Sequence, residues 1–256
     1  MTADAVPAPA ARPTYLVVAA SSAVGTALVR RLAARGAHVV MTSRRPTTLA
    51  GLAEEVEGRV ATVDATSFAD VDRAVADAVG WTGRLDGVIN CAGSILLKPA
   101  HLTSAEELAA VLAANLVTAF AVVRAGAAAM RPTGGSIVLI SSAAATIGLP
   151  NHEAIAAAKA GVAGLVRSAA ATYASQGLRV NGVAPGLVAS PLSQPITASA
   201  AALNASIAMH PLGRIGTPED IAGAADWLLG PHSSWVTGQV IGVDGGLATV
   251  KGRIKA

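Results

Sequence analysis

The feature that most constrains this chain is a regular alternation of short, apolar, β-branched runs with longer stretches of helical spacing. Each run has the length of one strand, and most of the stretches between them are long enough for a crossover helix. Strands that are apolar throughout are typical of a parallel sheet covered on both faces. The sequence therefore predicts an α/β fold: a single-domain, doubly wound, Rossmann-type parallel sheet of about seven strands with helices on both faces.

The predicted boundaries follow from these runs. Strands are predicted over 15–19, 37–42, 59–63, 87–90, 136–140, 178–183 and 239–243. Helices are predicted over 23–34, 67–79, 104–130, 152–175 and 218–229, with a short one before the third strand. Ser67 is expected to cap its helix and Gly36 to terminate the first. The polar, Ala-rich stretch 190–206 is predicted to be either a mobile flap over the crevice or an ordinary surface excursion.

Composition argues against several classes of protein. The single cysteine, Cys91, excludes an internal disulfide and a cysteine metal cluster, and no metal site is predicted. The net charge of +3 is spread out, with no basic run longer than two residues, so a nucleic-acid partner is not expected. The sequence offers no stretch of about 18 uninterrupted apolar residues, so no membrane span is expected.

The first 13 residues are rich in alanine and proline and lack a basic leader. They do not resemble a signal peptide and are predicted to form a disordered arm. The rest of the chain, 14–256, is predicted to be the single domain. A cytoplasmic location is expected, in keeping with the single cysteine.

Short motifs follow the predicted strands in a fixed order. They are Val18-Ala19-Ala20-Ser21-Ser22-Ala23-Val24-Gly25, Ser43-Arg44-Arg45, Asp64, Asn90-Cys91-Ala92-Gly93, Ser141-Ser142, Pro185-Gly186-Leu187-Val188 and Val243-Asp244-Gly245-Gly246. In order and spacing they resemble the short-chain dehydrogenase/reductase family from Tyr15 to Leu247. The resemblance implies a nicotinamide dinucleotide in the crevice at the carboxyl ends of the strands and a small-molecule substrate beside it.

The first turn resembles the family's Thr-Gly-x-x-x-Gly-x-Gly turn, but Ala19 and Ala23 replace two of its glycines. Glycine tolerates unusual dihedrals and lets the backbone approach a phosphate. Alanine at positive φ costs on the order of 1 kcal/mol, whereas at ordinary φ it only adds a methyl group. The resemblance implies these cofactor contacts: Ser21, Ser22, Val24, Gly25, Ser43, Arg44, Asp64, Asn90, Ala92, Gly93, Lys159, Pro185, Gly186 and Val188.

Arg44 distinguishes the two nicotinamide cofactors. A guanidinium after the second strand suits the 2′-phosphate of NADP, whereas a carboxylate there accepts the 2′-hydroxyl of NAD. Arg44, assisted by Ser43, is therefore predicted to favour NADP(H) over NAD(H). Two plainer interpretations stay open: Arg44 as a solvated turn residue, and Asn90 with its turn as a purely structural element.

The catalytic set implied by the resemblance is incomplete. Ser142, Lys159 and Asn115 match three of the family's four active-site residues, but Ile155 stands where the proton-carrying tyrosine is expected. Loss of a general acid typically costs about 10²- to 10⁴-fold in rate. His152 is a candidate substitute, because a continuing helix would place it on one face with Ile155 and Lys159. Pro150 and the residue after it also predict a helix start there, which would leave His152 facing solvent.

Three functions follow from this pattern. The first is an atypical NADP(H)-dependent oxidoreductase for a small hydrophobic carbonyl, alcohol or imine, because the expected crevice walls are largely apolar. The second is a non-redox catalyst such as a cyclase, isomerase or dehydratase. The third is a non-catalytic subunit of a hetero-oligomeric reductase. The resemblance also implies a homodimer or homotetramer.

Overall fold

The strands of the computed structural model, which describes residues 12–251, form a single parallel sheet. They are β1 (Thr14–Val18), β2 (His38–Ser43), β3 (Arg59–Thr62), β4 (Gly87–Asn90), β5 (Gly135–Ile140), β6 (Leu178–Pro185) and β7 (Val240–Val243). The sheet order is β3-β2-β1-β4-β5-β6-β7, and every pair is parallel. The predicted fold class is confirmed. Most of the predicted arm, up to residue 11, and the last five residues lie outside the described part.

The chain order creates a ligand crevice at a defined place. From β1 the chain runs outward to β3 and then crosses back to β4 on the other side of β1. The turns that follow β1 and β4 therefore diverge at the carboxyl edge of the sheet, which is where doubly wound sheets bind ligands. The sequence motifs that follow these strands accordingly meet along one edge.

The helices lie between the strands as predicted, with a few differences. They are α1 (Ala23–Ala34), α2 (Ala50–Glu55), α3 (Phe68–Thr82), α4 (Ala105–Leu112), α5 (Thr118–Met130), α6 (Glu153–Tyr173), α7 (Ala200–Met209) and α8 (Pro218–Leu229). Ser67 caps α3 by accepting a hydrogen bond from the Asp70 amide, and Gly36 has a φ of 82° just beyond α1. Both predicted helix boundaries are confirmed.

The two faces of the sheet bury separate apolar cores. Side chains alternate along β1, so that Leu16 packs with α3, α5 and α6 while Val17 packs with α1 and α8. Fully burying a side chain of this kind stabilises the fold by about 1.5–3 kcal/mol. Helices Ala105–Met130 and Glu153–Gln176 are apolar and long enough to cross a membrane by length and composition alone. In this fold both pack one side against the sheet.

Two stretches differ from their prediction. The predicted helix 104–130 contains a π-helical turn, Ala113–Val117, between α4 and α5. The stretch 190–206, predicted as a flap or a plain excursion, contains a 3₁₀ turn at Gln194–Thr197 and the first part of α7. Helix α7 is uniformly apolar or small and buries only Ser206, so it has no amphipathic pattern by which to be recognised.

Candidate functional site

The crevice brings together residues from four separate elements. Gly93, after β4, lies so close to Asn115 and Lys159 that an added Cβ would be 3.0 Å from Asn115 Oδ1 and 3.6 Å from Lys159 Nζ. Lys159 Nζ donates to the Ile140 carbonyl at 2.8 Å, at the end of β5. Ser142 follows two residues later. The structure thus brings Asn115 and Lys159 together around Gly93 and places Ser142 just beyond the strand end that Lys159 contacts.

Lys159 is the principal charged group in this cluster. It is 7% exposed, and burial lowers its pKa to about 8. An ammonium group carries three donors, and the described residues supply one acceptor, the Ile140 carbonyl. Two N–H groups of Lys159 are therefore available to a ligand.

Asn115 lies in the π-helical turn, and both N–H groups of its side chain have acceptors in the protein. Its Oδ1 accepts from the Ser94 amide at 3.3 Å, and its Nδ2 donates to the Val111 carbonyl at 2.9 Å and to Ser94 Oγ at 3.1 Å. π-Helical turns within α-helices are frequent at functional sites. In this conformation the Asn115 side chain fixes the loop after β4. Its predicted role as the anchor of a relay water stays a prediction.

Ser142 has a hydroxyl proton to offer. Its Oγ accepts from the Ala144 amide at 3.1 Å, which orients the oxygen and leaves its O–H without a partner among the described residues. Ser142 is half-buried at the carboxyl end of β5. A substrate oxygen beside Ser142 would lie on the same edge of the sheet as Lys159.

Ile155 forms part of an apolar wall. It is 5% exposed and packs in a cluster with Val111, Ala154 and Ala158. The half-buried Leu96 extends the cluster toward the loop after β4. At this position the crevice has hydrocarbon where a titratable side chain is expected from the family pattern.

His152 lies outside the helix that the sequence predicted to begin with it. It is the N-cap of α6, with φ −105° and ψ 10°, and its Nδ1 is 2.8 Å from the Pro150 carbonyl. The premise of a continuing helix through His152 is wrong, because the first helical residue is Glu153. The proposed catalytic role of His152 stays a prediction.

The turn between β1 and α1 keeps an anion-binding form without two of its glycines. Ala19 has a φ of 57°, whereas Ala23 is the first residue of α1 and has ordinary helical backbone. Gly25 is needed at its position, because a Cβ there would lie 2.8 Å from the Ala20 Cα.

The donors of this turn point to a negatively charged ligand. Ser22 caps α1 by accepting from the Gly25 amide at 3.1 Å. Among the described residues, the amides of Ser21, Ala23 and Val24 have no protein acceptor. The first turn of α1 carries no acidic side chain. Such a helix start attracts phosphate groups, so the turn fits the diphosphate of a dinucleotide.

The turn after β2 presents the predicted adenosine-side residues. Ser43 is buried, and its hydroxyl oxygen is 3.3 Å from that of Ser21. Arg44 is exposed and forms no ion pair within the described part of the chain. Asp64, after β3, accepts from the Thr66 amide and hydroxyl, which lowers the pKa of its carboxyl. The charge of Arg44 adds to that lowering.

The turn after β4 is tied to α5. Asn90 donates from Nδ2 to Thr118 Oγ1 at 3.0 Å and accepts from the Ala92 amide at 3.1 Å. Asn90 thus makes both of these contacts within the protein, in keeping with the alternative that its turn is a structural element. Burial raises the pKa of Cys91 to about 12, so its sulfur is a neutral thiol.

The turn after β6 is fastened by residues that sequence reasoning missed. The Gly186 amide donates to the Val243 carbonyl at 3.2 Å, and the Leu187 amide donates to His210 Nε2 at 3.1 Å. Ser193 Oγ donates to the Val188 carbonyl. The Val188 amide has no acceptor among residues 12–251, which leaves it available for the predicted carboxamide contact. His210 and Ser193 carry no local signal, since their partners are distant in sequence or are backbone atoms.

Comparison with known proteins identifies the family. The sequence model described as Enoyl-(Acyl carrier protein) reductase matches residues 18–248. The chain is 35% identical to 3beta-hydroxysteroid dehydrogenase 1 of Eggerthella lenta over 93% of this chain and 95% of the relative. The chain belongs to the short-chain dehydrogenase/reductase family. It is also 38% identical to the inactive 2-(S)-hydroxypropyl-CoM dehydrogenase 2 of Xanthobacter autotrophicus, over 73% of this chain and 84% of that protein.

Structural comparison agrees with the family. A short-chain type dehydrogenase/reductase from Mycobacterium ulcerans superposes with a TM-score of 0.89 at 36% identity, covering 94% of this chain and 91% of that one. Membership of the short-chain dehydrogenase/reductase family makes this chain an oxidoreductase by relationship, with a nicotinamide cofactor and a small-molecule substrate. The available donors of the turns after β1 and β6 fit such a cofactor.

Proposed function

We propose that this member of the family is an atypical NADP(H)-dependent oxidoreductase that acts on a small hydrophobic carbonyl, alcohol or imine. The observation that carries this proposal is the pair of Lys159 N–H groups that have no acceptor among the described residues. The Ser142 hydroxyl, whose proton likewise has no acceptor there, lies two residues beyond the Ile140 carbonyl that Lys159 contacts. A nicotinamide bound along the crevice would supply a hydride to the substrate carbon that carries the oxygen or nitrogen atom.

Lys159 is the group best suited to supply the proton. Ile155 has no ionisable atom, both N–H groups of the Asn115 amide already have acceptors, and His152 Nδ1 is bonded to the Pro150 carbonyl. With a pKa of about 8, Lys159 is mostly protonated at neutral pH. The Lys159 ammonium releases a proton to the substrate oxygen as the C=O electron pair moves onto that oxygen, and the resulting amine regains a proton from water.

The substrate is proposed to be apolar because of the wall around Ile155. Ile155, Leu96 and Leu112 are buried or half-buried hydrocarbon on one side of the crevice. Burial of a matching apolar surface favours hydrophobic ligands by roughly 25 cal/mol per Å². An imine that arrives already protonated would need the least acid assistance from such a site.

The preference for NADP(H) rests on Arg44. Its guanidinium is exposed after β2 and forms no ion pair within residues 12–251, whereas a carboxylate at this turn would select NAD(H). The fold is proposed to be a single domain over 14–256, in a cytoplasmic homodimer or homotetramer.

Fluorescence titration of the purified protein with NADPH and NADH tests this proposal. NADPH is expected to bind more tightly than NADH, and Arg44→Ala is expected to weaken NADPH binding by about tenfold while leaving NADH unchanged. Arg45→Ala is the matched control, since Arg45 is an exposed arginine at the next position, and should leave both affinities within about twofold. Failure of both nucleotides to bind the unmodified protein would overturn the proposal.

A second candidate, a non-catalytic subunit or a non-redox catalyst, is favoured by one observation. The position of the expected phenol is filled by Ile155, which is integrated into an apolar cluster rather than left as a gap. One relative at 38% identity carries the description "inactive". Tight NADPH binding without oxidation or reduction of a panel of cyclic ketones, alcohols and imines would support this candidate over the first.

A further inference from the structure

His210 is a buried histidine that the proposed chemistry does not use. It follows directly after α7 and is 3% exposed. Its Nδ1 lies 2.7 Å from the Ser206 carbonyl, inside α7, and its Nε2 lies 3.1 Å from the Leu187 amide, in the turn after β6. One imidazole ring therefore joins the helix to the turn.

The two partners determine the tautomer of the ring. The Ser206 carbonyl is an acceptor only, so Nδ1 carries the proton. The Leu187 amide is a donor only, so Nε2 presents its lone pair. His210 is thus a neutral imidazole with one donor and one acceptor, and each has a single partner.

Few contacts other than the His210 hydrogen bond hold α7 against the rest of the fold. Helix α7 buries only Ser206 of its ten residues. The ring borders a cavity of about 630 Å³ that is also lined by Gly186, Leu212 and Arg214. Arg214 forms an ion pair with Asp220, so its charge does not hold the ring. Gly186 approaches the ring so closely that an added Cβ would lie 2.7 Å from His210 Nε2.

The bond to Leu187 bears directly on the ligand edge. Leu187 precedes Val188, whose amide has no acceptor among the described residues. The Leu187 carbonyl accepts from the Gly216 amide at 2.8 Å, and its amide is held by His210. Gly216 therefore holds the peptide that carries the Val188 N–H, and His210 holds the peptide before it. Loss of the His210 bond would leave Leu187 anchored on one side only.

We propose that His210 is a positioning residue that couples the docking of α7 to the orientation of the Val188 amide. Resting on the proposed function, this means that cofactor binding at the turn and docking of α7 against the turn stabilise one another. The coupling is reciprocal: a ligand bound at the turn slows the undocking of α7, and undocking of α7 lowers the affinity for the ligand.

Two amide variants, each of which keeps one of the polar atoms near its original position, separate the two hydrogen bonds. His210→Asn keeps a donor near the position of Nδ1 for Ser206 and loses the acceptor for Leu187. His210→Gln keeps an acceptor near the position of Nε2 for Leu187 and loses the donor for Ser206. His101→Asn, at an exposed histidine away from this cluster, is the control. Amide hydrogen exchange of the full chain, with and without NADPH, measures the exchange rates of the Leu187 amide and of the α7 amides separately.

In the unliganded protein, His210→Asn should speed exchange at the Leu187 amide by about fivefold or more, and His210→Gln should leave it near the unmodified rate. NADPH should slow α7 exchange in the unmodified protein and in His101→Asn, but in neither His210 variant. His210→Asn should also raise the Kd for NADPH by about fivefold. These changes, with similar thermal unfolding of the two variants, would support the coupling.

Unchanged exchange at the Leu187 amide in His210→Asn would overturn the proposal, and so would an equal NADPH effect on α7 in all variants. If NADPH fails to bind the unmodified protein, the proposed cofactor preference fails instead. The exchange rate of the Leu187 amide in the unliganded variants still decides whether His210 holds the turn.

Discussion

The turn after β1 and the beginning of α6 have each lost residues expected from the family pattern, with different consequences. At the first, Ala19 takes a φ of 57° and the available amides are retained, because backbone groups make the site. At the second, Ile155 packs into a buried apolar cluster but carries no ionisable proton. A site made of backbone tolerates a change of side chain at the cost of some strain, whereas a site made of one functional group does not.

The largest effect expected from this comparison is at Ile155. Ile155→Tyr should restore a phenol beside Lys159 and Ser142 and raise the rate of ketone reduction by about 10²- to 10⁴-fold. Ile155→Phe adds the same ring without the hydroxyl and should give no such gain. Steady-state NADPH oxidation with cyclic ketones measures both. No difference between the two variants would mean that the rest of the site is not catalytically competent.

A smaller effect concerns the buried charge of Lys159. Its pKa is about 8 in the folded protein and near the ordinary value of 10.5 when unfolded. Between these two pH values the unfolded chain binds more protons, so stability should rise with pH. The rise is expected to be on the order of 1–3 kcal/mol. Denaturant unfolding of the unliganded protein from pH 7.5 to 10.5 measures it.

Lys159→Met should remove this rise in stability, because no ionisable group is left in the pocket. Lys251→Met, at an exposed position, should keep it. A pH dependence that is the same in Lys159→Met and in the unmodified protein would show that the lysine does not titrate abnormally.

The smallest effect concerns the strain in the phosphate turn. Ala19→Gly should stabilise the protein by up to about 1 kcal/mol, because glycine adopts positive φ without a steric penalty. Ala23→Gly, only four residues away, should destabilise it by up to about 1 kcal/mol, because Ala23 has ordinary helical backbone. Thermal unfolding measures both, and two changes of the same sign would contradict the assigned backbone conformations.

Local sequence was enough to predict the strands, the Ser67 cap and the position of the crevice. Each depends on the periodicity of neighbouring residues or on a short capping pattern. The convergence of Gly93, Asn115 and Lys159 was predictable through the family resemblance, and the structure brings these three residues together. Helix α7 was not predictable as an element, because its sequence has no alternation between apolar and polar faces.

Other features arise only when distant segments meet. The amide of Leu187 is occupied by His210 while that of Val188 is available, and nothing in Pro185-Gly186-Leu187-Val188 distinguishes the two. The N-cap position of His152 and the hydrogen bonds of the Asn115 side chain likewise depend on neighbours in space. The sequence by itself determined the parallel, doubly wound character of the sheet, the placement of the motifs on one edge and the absence of a phenol at position 155. Only the tertiary structure decided which donors remain available to a ligand, because a hydrogen bond depends on which groups are brought within about 3 Å of each other.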